Sequence, residues 1–302
     1  MKTVAWRIGV DGGATKTECI LVDPSGAIAG RHIAPGCNPS VVGEERAGLL
    51  LREALRAVRA GHETEAVSST LLCMAGNRAF WREFAAGLAG FGRISAADDS
   101  LPVLELATRG GPGLILHAGT GSFVAARTEN GAVHYAGGLG WRFGDEGSGY
   151  DLGRHAVAHA LLEIQGWAPK SGLGALVRER TGLSEAGPIS RYFNGQASPN
   201  VEIAALAPRV LALAEAGDPA AGTAVSESVG DLLKLAIGVA SKLFPAGPSR
   251  LRTGVSGPIL NHPASFRLLA AHSAFDLNPI LAPPIEGVRL LLARDFEAPS
   301  GD

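Results

Sequence analysis

Two short turns rich in glycine and hydroxyl groups are the segments with the most evident chemistry. The first reads Asp-Gly-Gly-Ala-Thr-Lys-Thr over residues 11–17, and the second reads Ala-Gly-Thr-Gly-Ser over residues 118–122. Glycine leaves backbone N–H groups accessible to an anion, and Thr, Lys and Ser side chains add further donors. Each turn alone indicates a hairpin. Two of them in matching contexts, one led by Asp11, favour a nucleotide held by two similar parts of the chain.

The standard phosphate-binding motifs do not fit these turns. A P-loop requires glycine directly before its lysine, whereas Thr15 precedes Lys16. The dinucleotide fingerprint fails because Val124 stands where its third glycine belongs. Any phosphate site here must therefore be built differently, from turns that each join two strands.

A third stretch, residues 137–150, combines several glycines with two adjacent carboxylates, Asp145 and Glu146. It leads into a predicted helix. One interpretation is a binding loop that carries a carboxylate, and the other is a loop in which Asp145 or Ser148 caps the helix. The residues themselves leave both interpretations open.

Apolar patterning predicts the elements that position these turns. Three-stranded meanders are predicted at 4–10, 17–22 and 27–34, and again at 113–117, 123–127 and 132–135. Between the meanders we expect helices at 44–60 and 79–91, strands at 70–74 and 93–97, and a helix opened by Pro102. After them we expect helices at 150–164, 201–216, 220–243, 264–271 and 285–296, with a strand at 251–255. The recurring meander indicates an α/β chain that repeats its architecture.

Composition narrows the class of protein. The 302 residues include 41 glycines without a period of three, and 27 Lys and Arg balance 29 Asp and Glu to a net charge of −2. So weak a charge provides no strong field for nucleic acid or an anionic membrane. Glycine or charge interrupts every apolar stretch before the ~18 residues of a membrane span. We therefore expect a cytoplasmic protein, without a disulfide framework or zinc site, since its three cysteines lie far apart.

The three segments, in this order, resemble the N-acetylglucosamine kinase family, in the BadF/BadG-type branch of the sugar kinase/Hsp70/actin superfamily. Residues 253–257, Thr-Gly-Val-Ser-Gly, are similar to the adenosine-side motif of that family. The resemblance covers nearly the whole chain. It implies an α/β fold of two ribonuclease-H-like (actin-like ATPase) lobes with an active-site cleft between the lobes. The implied domains are residues 1–112 with 285–302, and residues 113–284.

The resemblance also implies a function and its residues. It implies ATP-dependent phosphorylation of an amino sugar, N-acetylglucosamine or glucosamine, at the 6-hydroxyl, with ATP and Mg²⁺ as cofactors. Asp11 would hold Mg²⁺ through water. The residues implied to bind ATP are Gly12, Gly13, Thr15, Lys16, Gly119, Thr120, Gly121, Gly254 and Gly257. The residues implied to bind the sugar are Asn38, Asp99, Leu139, Gly140 and Asp145.

Asp99 is the implied catalytic base, because the family places that carboxylate at the end of a strand before the Gly-Thr-Gly turn. Two alternatives stay open: one of Asp98, Asp99 and Ser100 is the N-cap of the helix opened by Pro102, and Asp98 is the competing base. Asn38 has an alternative as well, since Asn-Pro alone is a turn signal.

One position departs from the family pattern. Leu139 stands where the family commonly has the Trp of Gly-Trp-Gly, and Trp141 follows two positions later. The sequence therefore leaves the acyl group of the substrate open. Two other functions are alternatives: an ATPase that activates a radical dehydratase or reductase through an iron–sulfur cluster, and an inactive sugar sensor. We expect the sugar and ATP as partners, no nucleic acid and no membrane, and leave a homodimer open.

Overall fold

The computed structural model describes residues 5–245 and 250–294. Its contacts divide the chain into two compact units. Unit 1 comprises the described parts of residues 1–109 and 282–302, and unit 2 comprises those of residues 110–281.

The strands and helices are numbered in chain order. The strands are β1 Trp6–Gly12, β2 Lys16–Val22, β3 Ile28–Pro35, β4 Val67–Met74, β5 Arg93–Asp98, β6 Gly113–Ala118, β7 Ser122–Arg127, β8 Val133–Gly137, β9 Arg252–Ser256 and β10 Asp276–Ile280. The helices are α1 Pro39–Val42, α2 Glu44–Ala57, α3 Arg78–Ala86, α4 Ser100–Thr108, α5 Gly149–Ile164, α6 Gly172–Thr181, α7 Ala186–Asn194, α8 Pro199–Ala204, α9 Ala207–Glu215, α10 Pro219–Leu243, α11 Pro263–His272 and α12 Pro284–Ala293.

The sheet of unit 1 has the order β3-β2-β1-β4-β5. β1, β2 and β3 form an antiparallel meander, while β4 and β5 continue the sheet in parallel with β1. Alternate residues of β1 point to opposite faces. One face contributes Ile8 and Val10 to a core completed by the apolar side of α2. Gly9 lies on the other face beside Val288 of α12, so that helix, the last of the described ones in chain order, belongs to unit 1.

Unit 2 repeats this topology. Its sheet has the order β10-β9-β6-β7-β8, with β6 to β8 as the antiparallel meander and β9 and β10 in parallel. The core packs Leu114, Leu116 and Val255 of the sheet against α5 and α10. The predicted repetition of the meander is therefore confirmed, and in both units the turn after the first strand is one of the two glycine-rich turns.

Several predicted elements differ from the structure. The helix predicted at 201–216 is two helices, α8 and α9, because Pro208 lies in the first turn of α9 and has no N–H with which to continue a helix. The helix expected to open at Pro102 begins two residues earlier, at Ser100. Helices α1, α6 and α7 and strand β10 were not predicted. The predicted start of the first strand, residue 4, and the predicted end of the last helix, residue 296, lie outside the described residues.

Among the described helices, none is both long enough and apolar enough to cross a membrane.

Candidate active site

The first glycine-rich turn joins β1 to β2 at the edge of unit 1. Gly12 ends β1 and is buried against Met74, whereas Thr15 and Lys16 are exposed. The turn is closed by a hydrogen bond from the Gly13 N–H to the Lys16 carbonyl (2.9 Å). The predicted phosphate-binding side chains are thus accessible on a turn whose backbone is fixed.

A charged cluster lies beside this turn. Asp11 faces Glu18 in the β1–β2 register. The Lys16 ammonium is 2.9 Å from one Glu18 carboxylate oxygen, and the Arg31 guanidinium is 2.8 Å from the other. Glu18 itself is buried, so two cations compensate one enclosed carboxylate. This pairing of Lys16 was not predicted from the sequence.

Asp99 follows β5 directly and lies within electrostatic reach of Asp11. Burial, and then the charge of Asp99, raises the pKa of Asp11 to about 7, while Lys16 opposes the shift. Burial, and then the charge of Asp98, raises the pKa of Asp99 to about 6. Both carboxyl groups of unit 1 that the resemblance assigns to chemistry therefore have pKa values close to neutrality, as groups that exchange protons or bind cations often do.

Asp98 and Asp99 are neighbours in sequence but differ in environment. Asp98 forms an ion pair with Arg78 (2.6 Å), at the start of α3. Asp99 precedes α4 in the N-cap position, yet its backbone is helical (φ −63°, ψ −19°) and its side chain makes no capping hydrogen bond to that helix within the described chain. The N-cap interpretation therefore fails for the Asp99 side chain, and the Asp98 side chain already has a cationic partner.

Asn38 occupies the N-cap of α1, and its Oδ1 accepts a hydrogen bond from the Ser40 N–H (2.9 Å). The preceding residue, Cys37, donates its N–H to the carbonyl of Gly13 (3.2 Å). Asn38 therefore has a local structural role at a turn, as its Asn-Pro context indicated. It is also tethered to the first glycine-rich turn through its neighbour.

In unit 2, the second glycine-rich turn joins β6 to β7. The Gly119 N–H donates to the Gly121 carbonyl (2.9 Å), and the Gly149 N–H at the start of α5 donates to the Gly119 carbonyl (2.7 Å). Asp145 lies against this turn: its Oδ2 is 3.2 Å from the position at which a side chain on Gly121 would begin. Burial raises the pKa of Asp145, and backbone hydrogen bonds from Ser122 and Gly140 oppose that shift.

The loop between β8 and α5 carries the departure from the family pattern. Leu139 and Phe143 are exposed by 75% and 81%. Trp141 instead packs edge-on against Tyr150, with ring centroids 5.1 Å apart, and the Arg142 guanidinium lies 4.7 Å from its ring centre. The indole is therefore held against α5, and Leu139 and Phe143 are the large apolar side chains that the loop presents to solvent.

The cap of α5 is also defined. Ser148 is the N-cap residue, and its Oγ accepts from the Asp151 N–H (3.1 Å), while Asp151 accepts from the Gly147 N–H (3.1 Å). This reciprocal capping leaves Asp145 outside the cap. Of the two residues considered for that role, Ser148 fills it.

The two glycines of the 253–257 segment have different positions. Gly254 is buried inside β9, opposite Ile115 of β6 and Asn278 of β10. Gly257 follows β9 with φ +87°, and a side chain there would begin 2.2 Å from the Ala118 carbonyl oxygen. Gly257 therefore adjoins the second glycine-rich turn, whereas Gly254 lies within the sheet.

The donor set of unit 1 fits a Mg²⁺ ion that arrives with a phosphate. Asp11 is partly buried, near two further carboxylates and one lysine, so a divalent cation would offset excess negative charge. Within residues 5–245 and 250–294, no group of three or more His, Cys, Asp and Glu side chains could hold a metal ion. Mg²⁺ usually keeps several waters and binds through one or two carboxylates and substrate phosphates. Asp11 would be the residue that holds it.

Residues 8–257 match the model of the BadF/BadG/BcrA/BcrD ATPase family. The protein belongs to that family of ATPases.

Particular relatives narrow the comparison. An N-acetyl-D-glucosamine kinase of Dictyostelium discoideum is 28% identical over 253 residues, covering 78% of this chain and 79% of that protein. An N-acetylmuramic acid/N-acetylglucosamine kinase of Clostridium acetobutylicum is 26% identical over 210 residues, covering 66% and 67%. A crystal structure from Chromobacterium violaceum, assigned as an N-acetylglucosamine kinase, has 27% identity and a TM-score of 0.75 and covers 96% of this chain and 99% of that one. The predicted family and the predicted fold class are confirmed.

Proposed function

We propose that this protein is an ATP-dependent amino-sugar kinase that phosphorylates N-acetylglucosamine or glucosamine at the 6-hydroxyl, with Asp99 as the general base. The observation that carries the proposal is the combination of the contacts and the pKa of the Asp99 side chain. This side chain makes no capping hydrogen bond to α4 within the described chain, the neighbouring Asp98 forms the ion pair with Arg78, and burial raises the pKa of Asp99 to about 6. Such a carboxylate is ionised at neutral pH and can accept a proton from a sugar hydroxyl.

Phosphoryl transfer to a hydroxyl depends mainly on positioning and on charge neutralisation. In unit 1, we assign the β- and γ-phosphates to Gly12, Gly13, Thr15 and Lys16, on the turn that exposes the Thr15 and Lys16 side chains. Mg²⁺ would supply charge neutralisation on the phosphates, and Asp11 is the residue that would hold it, through water. Asp99 removes the proton from the acceptor hydroxyl.

Unit 2 contributes a second phosphate-binding turn, Gly119, Thr120 and Gly121. Gly257 adjoins this turn and supports an adenosine-side role for the 254–257 segment, with Gly254 as the strand residue beneath it.

For the sugar, we assign Asp145 as a hydrogen-bond acceptor, with Asn38, Leu139 and Gly140 as further contacts. Support for Asp145 comes from its place against Gly121 and from its absence from the cap of α5. The exposed Leu139 replaces a stacked indole by a smaller, flexible side chain. We therefore expect a weak preference among small N-acyl groups rather than strict selection of one.

The cysteines favour a kinase over an activator ATPase. Cys19, Cys37 and Cys73 are all buried, all three lie in unit 1, and burial raises the pKa of each thiol. Iron–sulfur clusters require accessible thiolates at suitable spacing. This donor set does not fit such a cluster.

The test measures ADP release with a panel of amino and neutral sugars. We expect release that depends on N-acetylglucosamine or glucosamine, with a 6-phosphate as the product in phosphorus NMR. The 6-deoxy sugar is the matched control, because it keeps every group except the acceptor hydroxyl, and it should bind without turnover. ATP hydrolysis at a rate independent of the sugar would indicate an activator ATPase. Sugar binding without any turnover would indicate a sensor. Either result would overturn the proposal.

A further inference from the structure

A histidine that the proposed reaction does not use lies at the end of β6. His117 and Ser256 are directly opposite in the parallel β6–β9 register, and His117 Nδ1 is 2.8 Å from Ser256 Oγ. Ser256 is buried, with 3% of its surface exposed. Although 139 positions separate the two residues in sequence, they form one hydrogen bond at the end of the sheet.

The imidazole is fixed on its other side by an aromatic ring. Phe123 faces His117 in the β6–β7 register, and their rings stack with centroids 5.0 Å apart and planes 19° apart. Burial lowers the pKa of His117 to about 4, so the ring is neutral near pH 7. A neutral imidazole in this setting acts through hydrogen bonding and packing rather than through charge.

The hydrogen bond joins two segments that also touch through their backbones. His117 precedes the 119–121 turn by two residues, and Ser256 immediately precedes Gly257. The Ile259 N–H donates to the Ala118 carbonyl (3.2 Å), the same oxygen that Gly257 approaches. Hence a small change in the spacing of β6 and β9 would shift the 119–121 turn relative to Gly257.

We infer that His117 is a positioning residue for the nucleotide: by hydrogen bonding to Ser256 it fixes the spacing between the 119–121 turn and Gly257. The inference rests on the proposed role of these two segments in binding ATP. An apolar side chain at position 117 could fill the same space, but it would leave the buried Ser256 hydroxyl without its partner. The histidine forms the hydrogen bond with the Ser256 hydroxyl and also stacks on Phe123.

The variants distinguish the contribution of His117 Nδ1 from that of Nε2. In His117→Asn the side-chain amide can replace Nδ1, whereas in His117→Gln it reaches the position of Nε2. Ser256→Ala removes the hydrogen bond from the other side. Ser265→Ala is the matched control, because the Ser265 hydroxyl on α11 is buried and makes no hydrogen bond within the described residues.

Calorimetry measures the Kd of the non-hydrolysable nucleotide MgAMPPNP for each variant. We expect a Kd about 5–10-fold higher for His117→Gln and Ser256→Ala, corresponding to one net hydrogen bond. We expect His117→Asn and Ser265→Ala to stay near the parent value, and the double variant His117→Gln/Ser256→Ala to bind no more weakly than either single variant. The Kd of the sugar should be unchanged in all of them.

Different results would overturn the inference. These are a Kd within about two-fold of the parent for both His117→Gln and Ser256→Ala, equal losses for the Asn and Gln variants, or additive losses in the double variant. Should His117→Gln fail to fold, Ser256→Ala and His117→Asn still decide the matter. Because binding is measured without turnover, a parent protein that binds MgAMPPNP but phosphorylates no sugar would overturn the proposed function alone.

Discussion

Replacing Asp99 by asparagine tests the central assignment. Asn keeps the size of the side chain and removes only its capacity to accept the proton. If Asp99 is the base, we expect kcat to fall by about 10²–10⁴, the usual contribution of a positioned base. Affinity for MgATP should stay nearly unchanged, because Asp99 is assigned to the acceptor and not to the phosphates.

The raised pKa of Asp99 determines how strongly kcat/KM should change with pH. With a pKa of about 6, roughly one-tenth of the side chains are ionised at pH 5 and nearly all at pH 8, so kcat/KM should fall about ten-fold over that range. Activity rises with pH because the ionised form accepts the proton. At the ordinary value of 3.8, a carboxyl group would lose less than about one-tenth of its ionised form at pH 5. Asp11 has a raised pKa as well, so the profiles are measured at saturating Mg²⁺, which competes with the proton for Asp11. Under that condition the residual activity of Asp99→Asn should lack this acid limb.

Asp98→Asn is the matched control. It removes the ion pair with Arg78 and also one cause of the raised pKa of Asp99. We therefore expect the acid limb of Asp98→Asn to move to lower pH, with kcat within about ten-fold of the parent.

ADP is quantified directly by chromatography at pH 5 to 8, so that no coupling enzyme limits the range, and circular dichroism verifies folding. The reasoning is refuted by unchanged turnover in Asp99→Asn, by equal losses in the two variants, or by a flat profile down to pH 5 in the parent.

Three further outcomes are expected. Asp11→Asn should raise the Mg²⁺ concentration for half-maximal ADP release about 10–100-fold; an unchanged requirement would contradict its role. Gly257→Ala should lower the free energy of unfolding in urea by about 1–3 kcal/mol, because φ is +87° and the new carbon meets a carbonyl oxygen. Gly238→Ala, on an open helix surface, should instead stabilise by up to about 1 kcal/mol. Between pH 6.5 and 4 the unfolded form of His117 binds a proton that the folded form excludes, so stability should fall by about 3 kcal/mol more in the parent than in His117→Phe. Parallel curves would contradict that pKa.

The sequence determined the architecture and its glycine-rich turns. Alternating apolar residues and local turn signals predict both meanders, since strand periodicity and turn chemistry act over a few residues. The same turns carry the resemblance that identified the family. Local signals also limit what can be predicted: Asn278–Pro279 indicates a turn, yet both residues lie in β10, an edge strand of its sheet, where proline is tolerated.

Tertiary structure decided what adjacent or distant residues do. Nothing local distinguishes Asp98 from Asp99; the difference comes from Arg78, twenty positions earlier in the chain, which forms an ion pair with Asp98. The bond between His117 and Ser256 exists because β6 and β9 are neighbours in the sheet. Local sequence sets which conformations a segment favours, but the partner of a buried polar group is fixed only when distant segments pack together, and that partner decides its chemistry.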